Sequence, residues 1–344
     1  MTAEEFAFYC PIPAAVHPLA SQAQAATEEW LRRFRLSTDE DTRSQLAAAK
    51  TGILAAYIVP DCSPQWLQLM SDLGTWLFAF DDECDLGPAK CSPAVLSHMA
   101  WRIQYAIAHP PSPVSPTDRY ALALRDIRDR LDTLTSPDIV QRFVEGMRAF
   151  FLTEITKTGF AARGTTPTFE DYLTTRGFDC NAMVFPLLWG ALHTNTPSVD
   201  DARLLRLQHV TAALINWDND ILSHAKEEAE SGNGSNLIDM VRSHTRSSPR
   251  QALVESLALR NQAMRLFCSL RDELLPDATP ELGSCLTALA HYVQGNLRWH
   301  RESNRYHDPA RRRAASSSYA ITNLEPPHVD PPDLPSISWW WNPT

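Results

Sequence analysis

Four acids fall within five residues, at Asp81, Asp82, Glu83 and Asp85, straight after the apolar, aromatic run Trp76-Leu77-Phe78-Ala79-Phe80. On a helix Asp81 and Asp85 stand one turn apart, about 6 Å along the axis, on one face, with Asp82 beside it. Like charges so close destabilise a helix unless a cation sits between them. Hard divalent ions such as Mg²⁺ take carboxylate oxygens and carry substrate phosphates on their open positions. A solvated acidic helix end is the plainer reading, and a second stretch weighs against it. Asn219, Ser223 and Glu227 recur at every fourth residue and drift only about 40° around a helix over two turns. An amide oxygen, a hydroxyl and a carboxylate thus share a face. That oxygen-only mix suits Mg²⁺ and disfavours zinc. Lys226 is adjacent, a point charge able to meet a phosphate, and Asp220 reads as a support for the motif.

The elements that must position these groups are helices. Apolar residues recur at helical spacing near 22–36, 42–58, 64–83, 92–108, 117–133, 137–159, 168–193, 198–224, 235–243, 249–274 and 278–304. Thr168 with an acid three residues on reads as a helix start. Pro-rich His109–Pro116 and Gly-rich Ser231–Ser235 read as loops. No β-alternating run competes, so the expected fold is all-α. Residues 1–21 read as a Pro-rich arm, 22–307 as the helical domain, and 308–344, rich in Pro, Ser and Arg, as a disordered tail. Trp339-Trp340-Trp341 within that tail is read as exposed, so deleting 312–344 is expected to leave activity nearly intact.

The whole chain narrows the function. Its 344 residues, 44% hydrophobic, suffice for a large core. A net charge of −10 carries no footprint for nucleic acid. No apolar run approaches the roughly 18 residues of a membrane span, and the acidic N-terminus lacks the form of a signal peptide. Seven scattered cysteines without CxxC spacing indicate neither a disulfide framework nor a zinc site, and a reducing cytoplasm fits.

With both acidic stretches in place, the sequence resembles a class I terpene synthase of the bacterial type. That family pairs an aspartate-rich DDxxD motif with NDxxSxxxE. Here these are Asp81–Asp85 and Asn219–Glu227, and the resemblance spans about residues 8–306. It implies a single α-helical bundle around a central cavity. It implies three Mg²⁺ ions bridging the two motifs and the diphosphate of a linear isoprenoid. It also implies a diphosphate-sensing Arg176, a linker Asp179 and an effector at Cys180. The effector is usually Gly, and what matters there is a backbone carbonyl. Gly177 would ease a break in that helix. Near the C-terminal end, Arg305 and Tyr306 match the family's Arg-Tyr pair, whose donors suit a diphosphate clamp. Homodimers are common in the family.

The chemistry so implied is loss of diphosphate to leave an allylic carbocation in a dry cavity. Phe78, one turn before Asp81, and Trp299, on the run leading to Arg305, would offer ring faces to passing cations. Plain core packing is the competing reading for both. Farnesyl diphosphate is the expected substrate and geranylgeranyl diphosphate the alternative. A chain-elongating prenyltransferase would need a second aspartate-rich motif and basic residues near 81–85, and the chain has neither. A non-catalytic helical binding protein would not need this set of polar residues.

Overall fold

The computed structural model describes residues 7–37, 39–87, 90, 92–179, 181–192, 202–230, 236–303, 319–327 and 330–341. Its helices are α1 (Ala20–Phe34), α2 (Glu40–Ala48), α3 (Thr51–Ile58), α4 (Pro64–Leu86), α5 (Pro93–Ala108), α6 (Arg119–Leu134), α7 (Pro137–Arg163), α8 (Phe169–Arg176), α9 (Asn181–Ala191), α10 (Ala202–Glu230), α11 (Leu237–Thr245), α12 (Pro249–Leu274), α13 (Pro280–Glu302) and the short α14 (Pro335–Ser338). The fold is the expected all-α bundle. Its only strands among the described residues are β1 (Ala7–Tyr9) and β2 (Ala320–Thr322), three residues each and parallel.

Local chemistry starts the long helices. Each of α4, α7, α12 and α13 opens on a hydroxyl N-cap followed by proline: Ser63-Pro64, Ser136-Pro137, Ser248-Pro249 and Thr279-Pro280. The hydroxyl accepts from an otherwise orphaned N–H, at Trp66, Ile139, Gln251 and Leu282 respectively. The proline occupies the position where its missing N–H costs nothing. Thr168 and Asp171 form a full capping box at the start of α8.

Two expected helices are broken by tertiary contacts. The run 42–58 divides at Lys50, which takes a left-handed φ of 54°. The break frees the Ala49 carbonyl, which accepts from the Trp299 indole N–H at 2.7 Å. The run 168–193 divides after Arg176, whose carbonyl accepts from Asn216 Nδ2 at 2.7 Å. Gly177 keeps an ordinary helical φ of −64°, so the break does not draw on glycine's freedom, contrary to expectation.

Helix α3 is wedged between α1 and α13, and two glycines permit it. A Cβ on Gly52 would stand 2.5 Å from the Gln24 backbone, and one on Gly295 would stand 2.8 Å from the Tyr57 backbone. Helices α3, α4, α7, α8, α10 and α13 thereby enclose a central hollow.

The tail expectation is overturned for its described residues. β2 pairs with β1, so the N-terminal arm and the C-terminal segment hold each other. Trp340 is 5% exposed and lies against Trp217 of α10. Arg206, itself buried, donates to the Trp340 carbonyl at 2.7 Å. Ser336 donates its N–H to Glu170 on α8 at 3.0 Å. The segment is a strap over α8, α10 and α12. An apolar ring and a satisfied carbonyl hold it there, which composition alone does not reveal.

Candidate active site

The central hollow has a volume of about 530 Å³. Its inner wall is apolar, with Leu54, Ile58, Leu73, Leu77, Val184 and Tyr292 among its members. Its mouth is polar. Asp81, Asp82 and Asp85 line it from α4, and Asn219, Ser223 and Glu227 line it from α10. The two faces written 134 residues apart thus meet on one cavity. Glu83, the remaining acid of the first cluster, turns elsewhere. It accepts from Arg119 at 2.9 Å and from the Tyr120 hydroxyl at 3.2 Å.

On the first face a protein cation stands between the acids. Lys157 of α7 brings its Nζ to 3.1 Å from Asp81, 3.7 Å from Asp85 and 3.0 Å from Glu154. Burial would lower the pKa of this ammonium, but the charges of Asp81, Glu154 and Asp85 outweigh that and hold it well above the ordinary lysine value. Glu154 is fully buried. Burial pushes it up to about 7, opposed by Lys157.

The second face is held by hydrogen bonds. Ser223 donates to Glu227, which also accepts from Asn236 Nδ2 at 2.9 Å. Burial raises the Glu227 pKa, helped by the nearby Asp220 charge. Asn219 Oδ1 accepts from Arg176 at 3.1 Å, and its Nδ2 lies 3.2 Å from His300 Nε2. Asp220 is buried and binds Tyr172, the Leu237 N–H and Arg176. It braces α8, α10 and α11 together.

Arg176 stands at the end of α8 and lines the same cavity. It pairs with Asp179 and, at 2.5 Å, with Asp220. Asp179 is buried and serves as that partner. Phe78 and Trp299 also line the cavity, with ring centroids 5.5 Å apart and planes at 17°. Cys180, Arg305 and Tyr306 lie outside the described residues, as does the side chain of Lys226. Sequence reading missed Lys157, Glu154 and His300. The signal for the first two was a charged pair three residues apart inside a run between Phe150 and Phe160. A buried polar pair in such a run needs a partner.

The donors fit a hard divalent cation: amide, hydroxyl and carboxylate oxygens. Lys157 already takes a cation's place between two of the carboxylates. Among the described residues no three carboxylates, imidazoles or thiols converge as a finished metal cage. The donors are split between two walls of one mouth.

Comparison with known proteins agrees with this architecture. The family model for terpene synthase family 2, C-terminal metal binding, matches residues 72–265. The (+)-(1(10)E,4E,6S,7R)-germacradien-6-ol synthase of Streptomyces pratensis is 31% identical over 97% of this chain and 95% of its own. The (+)-T-muurolol synthase of Streptomyces clavuligerus is 33% identical over 97% of this chain and 81% of its own. A crystal structure of the SVS_A2 protein, from ancestral sequence reconstruction, superposes with a TM-score of 0.83 at 28% identity, covering 98% of both chains. Fold and metal-binding region together define a class I terpenoid synthase. The chain belongs to the bacterial terpene synthases, lyases that cyclise isoprenoid diphosphates. Among the described residues no helix is long and apolar enough to cross a membrane.

Proposed function

We propose that this enzyme ionises farnesyl diphosphate and cyclises the resulting cation to a sesquiterpene. The observation that carries the reading is one apolar cavity whose mouth is shared by Asp81, Asp82, Asp85, Asn219, Ser223, Glu227 and Arg176. The T-muurolol synthase is named as cyclising (2E,6E)-farnesyl diphosphate, which supports the C15 chain length. A 25% identical Streptomyces protein named as a diterpene cyclase keeps geranylgeranyl diphosphate as the second reading. The same proposal includes three Mg²⁺ ions as the cofactor, action in the cytoplasm and a homodimer.

In this reading the carboxylates of Asp81, Asp82 and Asp85 and the oxygens of Asn219, Ser223 and Glu227 hold the metal. Bound Mg²⁺ supplies positive charge that neutralises the departing diphosphate. Arg176 adds a fixed guanidinium at the same mouth. Asp220 and Asp179 hold it in place, so its charge is preorganised where negative charge develops. His300 fixes the Asn219 amide from the α13 side. Lys226, Arg305 and Tyr306 are assigned to the diphosphate, and the Cys180 carbonyl to the effector position, on family resemblance. The apolar wall excludes water, which would quench the carbocation. The stacked faces of Phe78 and Trp299 border that space and favour cationic character there. The diphosphate, once released, can itself accept the terminating proton.

The test is incubation with Mg²⁺ and C10, C15, C20 or C25 diphosphates, reading diphosphate release and the hydrocarbon products. Cyclic C15 products from farnesyl diphosphate are expected. Release only from the C20 substrate would shift the reading to a diterpene synthase. Chain growth on adding isopentenyl diphosphate would overturn cyclisation as the activity.

A further inference from the structure

We propose that Lys157 is the resident cation of the first acidic face, yielding Asp81 and Asp85 to an entering metal while Glu154 retains it. The inference rests on the metal assignment made above and deepens it.

Three carboxylates within five residues of one helix repel one another. The ammonium of Lys157 lies within 3.7 Å of two of them, Asp81 and Asp85. It therefore supplies the positive charge that lets this helix end form before any metal arrives. A divalent ion binding the same oxygens must take that position, because two cations cannot share it. Lys157 then depends on its third partner, since an ammonium at a closing apolar cavity is costly when unpaired. Glu154 is that partner. It lies one turn back on the same helix, 3.0 Å from Nζ, with 0% exposure. Lys157 Nζ meets its Oε2, and its other oxygen, Oε1, is buried with no hydrogen-bond partner. A buried carboxylate in that condition keeps acceptor capacity for a further ammonium N–H. Giving up the aspartates therefore leaves Lys157 on Glu154 with α7 in place. Lys157 is thus a positioning residue that sets the free energy of metal loading.

The two residues act on metal affinity with opposite signs. Removing the Lys157 charge deletes the competitor for Asp81 and Asp85. Removing the Glu154 charge deletes the partner that retains Lys157 and leaves it more firmly on the aspartates. The full-length protein without substrate is titrated with Mn²⁺ at pH 8, and free Mn²⁺ is read by electron paramagnetic resonance. Lys157→Met is expected to bind Mn²⁺ at least about tenfold more tightly than the unaltered protein, given a unit charge removed within about 4 Å. Glu154→Gln, nearly isosteric, is expected to bind it more weakly. Circular dichroism checks that both fold, and Lys157→Gln replaces Lys157→Met if the latter does not. Equal or weaker binding by the Lys157 variants, or tighter binding by Glu154→Gln, would overturn the proposal. Failure of the underlying metal assignment gives a different result: Asp81→Asn would then bind Mn²⁺ as well as the unaltered protein does.

Discussion

Arg176 reaches Asp220 across 2.5 Å, joining the last residue of α8 to the middle of α10. The same guanidinium pairs with Asp179 beyond the helix break and with Asn219 in the second oxygen-bearing stretch. A planar fork presents separate nitrogens to these partners, a geometry that the compact point charge of a lysine does not reproduce. Arg176→Lys is therefore expected to lower kcat/KM by about 100-fold, the scale for losing one preorganised donor. Steady-state kinetics with farnesyl diphosphate checks this. Less than a threefold loss would remove Arg176 from the diphosphate site.

The stacked pair Phe78 and Trp299 invites a separate test. Phe78→Leu keeps an apolar side chain but removes the ring face. Turnover is expected to fall by about tenfold or less, the scale of one cation–π contact, while the product mixture changes. Gas chromatography with mass spectrometry of the hydrocarbons reads the outcome. An unaltered product profile would return Phe78 to plain core packing.

The strap is the third case. Trp340 is buried against Trp217, two residues before Asn219, and its carbonyl satisfies the buried Arg206. Trp340→Ala should cost about 3 kcal/mol from lost burial and the cavity left behind. Deleting 319–344 should cost more, because Arg206 then stays buried without its acceptor. Chemical denaturation measures both. A truncated protein as stable and as active as the full chain would make the strap dispensable.

Stability should also depend on pH through Glu154. Its burial raises the folded-state pKa to about 7 from the ordinary 4.5. Between those values the folded protein holds a proton that the unfolded chain has released. Stability is therefore expected to fall as pH rises from about 4.5 through about 7, by up to about 1.4 kcal/mol per unit. Glu154→Gln should flatten that component. Denaturation midpoints at pH 5, 6, 7 and 8 for both proteins give the answer. The same slope in the variant would assign it to another group.

What could be read without coordinates was local. The helix starts at 64, 137 and 249 follow from a hydroxyl and a proline in adjacent positions. The two oxygen-bearing faces follow from fourfold spacing on a helix. Family likeness then placed Arg176, because its position relative to the second motif is itself a linear pattern. Each of these signals lies within a few turns of chain.

What the tertiary structure alone decided runs across long separations. Lys157 lies 76 residues from Asp81, Trp299 lies 250 from the Ala49 carbonyl to which it donates, and Trp340 lies 134 from Arg206. Composition marked the last 37 residues as tail because Pro, Ser and Arg bury little by themselves. A strand partner at Ala7–Tyr9 and an aromatic seat at Trp217 supply the burial they lack. Spacing on one helix determines which side chains share a face. Only packing between helices determines what that face meets, because the electrostatic and apolar partners that fill it come from distant chain.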